Sequence, residues 1–155
     1  GILGFKIAHS LILPPTKIKQ LLISNPDTPQ LVFTEINYKN SQHYVTPILH
    51  SKKKYNEYTK SFFDDMQVSL LFVNTRIYNN EVILVYKDMK QYGLDNYMIS
   101  IDDSQEYKDK LGENTTYTIH PEEVSAKHFE FIIDNSWKNK KHPKLINNLI
   151  KLLSL

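Results

Sequence analysis

His50, Ser51, Lys52, Lys53 and Lys54 follow one another directly, six residues after Tyr44. These residue types suit phosphate chemistry. A histidine titrates near neutral pH and serves as general base or acid. A lysine stabilises charge that builds on a phosphoryl oxygen. A serine hydroxyl holds a non-bridging oxygen, and a tyrosine ring stacks on an unpaired base. The group falls where an apolar run gives way to a polar one, the usual position of reactive groups on a rigid scaffold. The competing reading makes His50 a polar strand end beside a solvated lysine run.

Other chemistries find less support. The histidines are His9, His43, His50, His120, His128 and His142, and none sits in a HExxH pattern or beside a carboxylate at helical metal-site spacing. No metal or other cofactor is therefore expected. His43 and His50 lie seven apart, so an uninterrupted strand turns them to opposite faces, unless a bulge at Pro47 reverses that. Glu106-Tyr107-Lys108 has the acid-x-Lys spacing of a restriction-type nuclease core, but it lies in a charged stretch with little strand character. Asp64-Asp65, Asp102-Asp103 and Glu122-Glu123 are further acidic pairs. Glycine-rich phosphate loops and a GxSxG elbow are absent. Cysteine is absent too, which excludes disulfides and thiolate nucleophiles and points to a reducing, cytoplasmic setting.

Charge is distributed unevenly. Net charge is only +2, yet Tyr38 to Lys60 holds five lysines against Glu57, and Trp137 to Lys151 holds five lysines and no acid. Two basic segments on an otherwise acidic chain resemble a polyanion footprint. Lys53, Lys54, Lys138, Lys140, Lys141 and Lys144 are the candidate nucleic-acid contacts. Trp137 beside them is either a further contact or the cap of a preceding helix, whose negative pole favours lysine.

The elements that must position these residues are mostly strands. Phe5 to Leu13 reads as a first strand, and Thr16 caps a short helix over Lys17 to Ser24. Leu31–Ile36 and His43–Leu49 form a hairpin with a polar loop of moderate length between them. Pro47 lacks a ladder donor and puts the second strand at an edge or a bulge. Ser51 to Tyr58 is too polar for core. Val68–Tyr78 and Glu81–Tyr86 around Asn79-Asn80 give the strongest hairpin signal. Tyr97–Ile101 and Thr115–Ile119 alternate as short strands, and Asp102–Glu113 is a loop or a short exposed helix. Pro121-Glu122-Glu123 opens a helix that carries Val124, Phe129, Ile132 and Ile133, and Leu145–Leu155 forms another. The outline is α+β: a β-rich body, one short early helix and two C-terminal helices.

At 155 residues the chain suits one domain, residues 1–155. Its 41% hydrophobic and 23% charged content matches a globular protein rather than a low-complexity one. No apolar run reaches the length of a membrane span. Gly1–Phe5 lacks a basic n-region and a cleavage site, so no signal peptide is expected there, and Gly1 reads as a processed or tag-derived end.

The run from Leu31 through the lysines, LVFTEINYKNSQHYVTPILHSKKKY, resembles the paired strands and Ser/Lys-bearing loop of type III toxin–antitoxin endoribonucleases. YGLDNYMISIDD from Tyr92 and HFEFIIDNSWKNKKHPKLINNLIKLL from His128 are similar to further parts of that family. Together they touch about half the chain. The resemblance implies a compact, barrel-like toxin bound by an RNA antitoxin, and metal-independent cleavage of single-stranded RNA by 2′-hydroxyl attack. On that expectation His50 transfers the proton, Ser51 and Lys52 contact the scissile phosphate, and Tyr44 positions the strand. Two other readings stay open. One is a non-catalytic nucleic-acid-binding β-barrel from a restriction or defence system, with DNA as the partner. The other is a protein-interaction effector module.

Overall fold

The computed structural model describes residues 3–15, 22–23, 30–53, 62–94, 97–116, 118 and 120–153. Among the described residues, seven strands form one sheet: β1 (Lys6–Ala8), β2 (Ser10–Ile12), β3 (Leu31–Tyr38), β4 (Ser41–Ser51), β5 (Met66–Tyr78), β6 (Glu81–Tyr86) and β7 (Met98–Ser100). Their order is β1-β3-β4-β5-β6-β2, with β7 also beside β5. All pairings are antiparallel except the parallel pair of β2 with β6.

One short run closes the sheet into a barrel-like body. Residues 6–8 pair with β3, and residues 10–12 pair with β6. The change of partner falls at His9. Its amide donates to the Val82 carbonyl at 2.8 Å, and its Nδ1 accepts from the Val82 amide at 3.1 Å. What reads in sequence as one strand from Phe5 to Leu13 is thus two strands with a bend at which the histidine's amide and ring both bond Val82.

Tight turns set the registers. Lys39 and Asn40 have φ of 48° and 62°, and Asn79 and Asn80 have 49° and 62°. Each pair closes a two-residue hairpin of the left-handed kind that matches strand twist. The expected longer loop between β3 and β4 is therefore only Lys39-Asn40, and both strands run further than their apolar residues suggest.

Pro47 sits at a local edge and not at a bulge. The β4–β5 register is unbroken from Tyr44↔Val73 to Ser51↔Met66, with Pro47 opposite Leu70. The β3–β4 ladder ends at Thr34↔Val45, so the proline lies just past it. There the Thr46 hydroxyl donates to the Val32 carbonyl at 2.7 Å and takes over from the backbone. Farther along, Leu22 and Ile23 pair with His50 and Leu49 on that same side. The rest of the expected helix over Lys17–Ser24 lies outside the described residues.

Among the described residues, three α-helices complete the α+β fold: α1 (Gln105–Leu111), α2 (Pro121–Ile133) and α3 (Pro143–Leu153). Ser104 caps α1 by accepting from the Tyr107 amide, and Gly112 ends it at φ 82°. The positive φ favours glycine, and a Cβ there would lie 3.1 Å from Leu145 Cδ2 and 3.4 Å from Asn114 Nδ2, so those side chains would have to give way slightly. His120 caps α2 through Nδ1, ahead of Pro121 and two glutamates. Thr115, Thr116 and Thr118 are not in a strand; the Thr118 carbonyl accepts from the buried Tyr107 hydroxyl.

Strand alternation makes two cores. One face of the sheet carries Val32, Ile36, Val45, Leu70 and Phe72, and the helices cover it with Tyr107, Leu111 and Val124. The other face carries Phe33, Ile48, Leu71, Val73 and Leu84. Burial lifts the Tyr107 hydroxyl well above the ordinary phenol range. No helix among the described residues is long and apolar enough to cross a membrane.

Candidate nucleic-acid interface

The unbroken β4 turns His50 and His43 to opposite faces. His50 shares its face with Ser69 of β5. Its Nε2 lies 2.9 Å from the Ser69 hydroxyl and its Nδ1 lies 3.2 Å from the Ser51 carbonyl. The residue is 6% exposed. Ser51 is buried as well, and its hydroxyl accepts from the Lys53 amide at 3.1 Å. The polar run thus begins one residue later than its composition indicates, because Ser51 still belongs to the strand.

The lysines beyond it face solvent. The Lys52 amide donates to the Asp65 carbonyl, and Lys53 Nζ lies 3.5 Å from the Asp65 carboxylate. Lys54 lies outside the described residues. Tyr44 is half-buried, edge-on to Phe33 at 5.5 Å, with Lys6 Nζ 5.2 Å from its ring centre. It shares the face of His50, but six strand residues separate them by about 20 Å. His50, Ser51 and Lys52 are therefore brought together at the strand end, and Tyr44 is not.

The second basic segment is partly spent on structure. Lys140 Nζ stands 3.8 Å over the Phe131 ring, and Lys141 forms a 2.5 Å pair with Glu113. The Lys141 bond, with help from Gln105, holds the Glu113 carboxyl down at about 2. Lys138 lies on the 3-10 turn Ser136–Asn139 and Lys144 on α3, both exposed. Lys53 thus pairs with Asp65 in the first segment, and Lys141 with Glu113 in the second.

A different group converges at the far end of β4. Tyr38 and Lys39 come from the β3–β4 turn. Lys87, Lys90 and Tyr92 come from the stretch after β6. His43 lies between them. Lys87 Nζ is 3.0 Å from His43 Nδ1. The His43 ring stands edge-on to Tyr92 at 4.8 Å and to Phe72 at 5.4 Å, with Tyr38 at 6.5 Å. Lys39 Nζ donates to the Tyr92 carbonyl and lies 5.6 Å from the Tyr38 ring centre. Both tyrosines are half-buried, and Lys39 and Lys90 are exposed. Asp88 is the acid nearest in sequence, and its carboxylate caps the Lys90 amide at 2.9 Å.

Electrostatics fix the state of the central imidazole. Burial lowers the His43 pKa, the Lys87 charge lowers it further, and the Tyr38 backbone opposes them in part. The ring is therefore neutral at pH 7, with Nδ1 accepting from Lys87 and the proton on Nε2. That Nε2 is buried with no hydrogen-bond partner among the described residues. Aromatic faces around an N–H offer only a weak substitute.

This set escapes a linear reading because its members are spread over more than 50 residues. Of its lysines, only Lys39 falls in a basic segment. The usable signal was the pair Lys87 and Lys90 beside Tyr92, which is weak by itself. Glu106 and Lys108 sit on α1 and not on a strand: Glu106 accepts from Asn37, and Lys108 donates to the Asp102 carbonyl. Comparison with protein-family models, curated proteins and solved structures finds no match to the chain.

Proposed function

We propose that the protein binds single-stranded RNA at this end of the barrel. Tyr38 and Tyr92 offer ring surface to unpaired bases, and Lys39, Lys87 and Lys90 hold phosphates. The supporting observation is that Lys39 meets Tyr92, and Lys87 meets His43 between Tyr38 and Tyr92, from separate parts of the chain, with Lys90 two residues from Tyr92. Stacking plus a cationic track is the physics of sequence-tolerant binding to unpaired strands. A chain without cysteine suits a reducing compartment such as the cytoplasm.

The reading is non-catalytic because the imidazole beside the lysine run is committed to Ser69 and Ser51. The test is fluorescence anisotropy of a labelled single-stranded RNA against a duplex DNA of equal length, over a salt series. RNA binding that weakens steeply with salt and falls in Lys39→Ala supports the reading. Preference for the duplex moves the partner to DNA. No affinity for either at low salt overturns the reading and favours a protein-interaction module.

A second reading keeps the toxin-like endoribonuclease with its RNA antitoxin. It is favoured by His50, Ser51 and exposed Lys52 standing together at the end of β4. The 2′-hydroxyl would lose its proton to His50 as its oxygen bonds to the adjacent phosphorus, and Lys52 would stabilise the phosphorane oxygens; the P–O5′ bond would then break to leave a 2′,3′-cyclic phosphate, with the 5′-oxygen taking its proton from the His50 imidazolium. The ring must first swing off Ser69. RNA cleavage in EDTA that is lost in His50→Ala, with binding kept, supports this reading. Unchanged cleavage in that variant removes His50 from it.

A further inference from the structure

The outer half of β5 is paired on one side only. β4 accompanies β5 as far as Tyr44↔Val73 and then leaves it to follow β3. β6 stays with β5 to the Asn79-Asn80 turn. Residues 74–78 therefore carry an edge that no described strand covers.

The ladder's alternation tells which groups face that edge. A two-residue turn makes Tyr78↔Glu81 a hydrogen-bonded pair, and every second pair repeats it: Arg76↔Ile83, then Asn74↔Val85. The next member is confirmed directly, since the Lys87 amide donates to the Phe72 carbonyl. Thr75 and Ile77 fall between these pairs. Their amides and carbonyls point away from β6, into the space that β4 has left.

Proteins commonly blunt such edges with lysine, proline or a bulge. Asn74-Thr75-Arg76-Ile77-Tyr78 contains neither residue, and its register with β6 is unbroken up to the turn. All five residues are exposed, Ile77 at 79% and Tyr78 at 66%. Arg76 is the only charge on the edge, and none of the ion pairs among the described residues uses it.

We propose that residues 74–78 dock an extended segment of a partner protein, added as a further strand with an acidic residue opposite Arg76. Backbone bonds to Thr75 and Ile77 supply affinity, and the acid and apolar contacts at Ile77 and Tyr78 supply selectivity. A second copy fits worse. Full antiparallel overlap of two such edges sets Arg76 against Arg76, and like charges directly opposite are destabilising. The inference does not rest on the RNA reading, because it uses none of the residues assigned to RNA.

The test uses the intact chain and two synthetic heptapeptides, acetyl-TVTETVT-amide and its lysine counterpart with K for E. Amide exchange is followed by NMR. The Thr75 and Ile77 amides should exchange fast in the free protein and slow on addition of the acidic peptide. The amides of Asn74, Arg76 and Tyr78 are already held by β6 and should not change. The acidic peptide should bind about tenfold more tightly than the lysine peptide, a difference of about 1.4 kcal/mol. Thr75→Pro removes one outward donor and leaves the β6 ladder intact, so it should weaken the acidic peptide at least about tenfold. Arg76→Glu, which alters no backbone group, should reverse the preference between the peptides. Slow exchange of Thr75 and Ile77 in the dilute free chain would overturn the proposal. So would no response to millimolar peptide, peptide binding indifferent to both substitutions, or protection that grows with protein concentration alone.

Discussion

Lys87 donates to His43 across 3.0 Å, and the imidazole that receives this bond has its other nitrogen sealed among aromatic rings. Protonating His43 would set two cations in contact and remove the acceptor. The pair thus holds the ring in its Nε2–H tautomer. Ring nitrogen shifts in an NMR pH titration should show His43 titrating with a midpoint below that of an unfolded-chain histidine. Lys87→Met should raise the midpoint by removing the nearby charge, while leaving it below the ordinary value because burial remains. A midpoint that falls or stays fixed in Lys87→Met would contradict the assignment.

The same logic governs stability against acid. Burial lowers the pKa of His43 and of His128 in the fold. The unfolded chain then binds more protons than the native one as pH falls through 6.5, so stability declines from that point downward. Glu113, held at about 2 against an ordinary 4.5, adds a contribution present above 4.5 and lost toward 2. The urea midpoint should therefore be lower at pH 5.5 than at pH 7.5, and lower again at pH 3. An equal or higher midpoint at pH 5.5 would refute the account.

Asn114 ties three helices together. Its Nδ2 donates to His128 Nε2 on α2 at 3.1 Å and to the His142 carbonyl at 3.2 Å, and its Oδ1 accepts from the His142 amide at 2.9 Å. It lies two residues beyond the α1 cap, Gly112. Asn114→Ala should cost about 2–3 kcal/mol in urea unfolding, because it strands a buried histidine and two backbone groups. Asn114→Ser should recover only part of that. A loss below about 0.5 kcal/mol would show that water replaces the amide without cost.

His50 separates structure from chemistry. Removing its ring empties a site beside Leu22 and leaves Ser69 without its partner, so His50→Ala should destabilise by about 2–3 kcal/mol, and Ser69→Ala by about 1 kcal/mol. Neither should change RNA affinity if binding lies at the Tyr38–Tyr92 end. A stable His50→Ala protein with RNA affinity reduced tenfold would move the site to the β4 end.

The lysines divide by what they already touch. Lys39→Ala and Lys90→Ala should each reduce the slope of log affinity against log salt by about 1. Lys140→Ala and Lys141→Ala should change it less, because Lys140 lies on Phe131 and Lys141 on Glu113. Equal effects at all four positions would place the second basic segment on the RNA.

Much of the fold can be read in the residues themselves. Glu81–Tyr86 is bounded by an Asn-Asn turn and by Lys87, and its strand falls at those limits. The opposite facing of His43 and His50 follows from a count of seven. Lys39 hides the other hairpin turn, because lysine gives no hint of a left-handed conformation. The strand switch at His9 is equally silent, since Lys6–Ala8 and Ser10–Ile12 differ only in which distant neighbour they meet. The pairing of His43 with Lys87 is hidden for the same reason: 44 residues separate them, and no local pattern records what a barrel brings together.

The closure by residues 6–12 also sets the order in which the chain can acquire its native form. These residues need β3 on one flank and β6 on the other, and β6 begins some seventy positions downstream. The hairpins β3–β4 and β5–β6 each span a two-residue turn and can zip locally. The seam at His9 must wait until both are docked side by side. Folding kinetics should then show a late phase that belongs to that seam alone, with substitutions at Ala8 or Leu11 accelerating unfolding while hardly slowing the refolding rate.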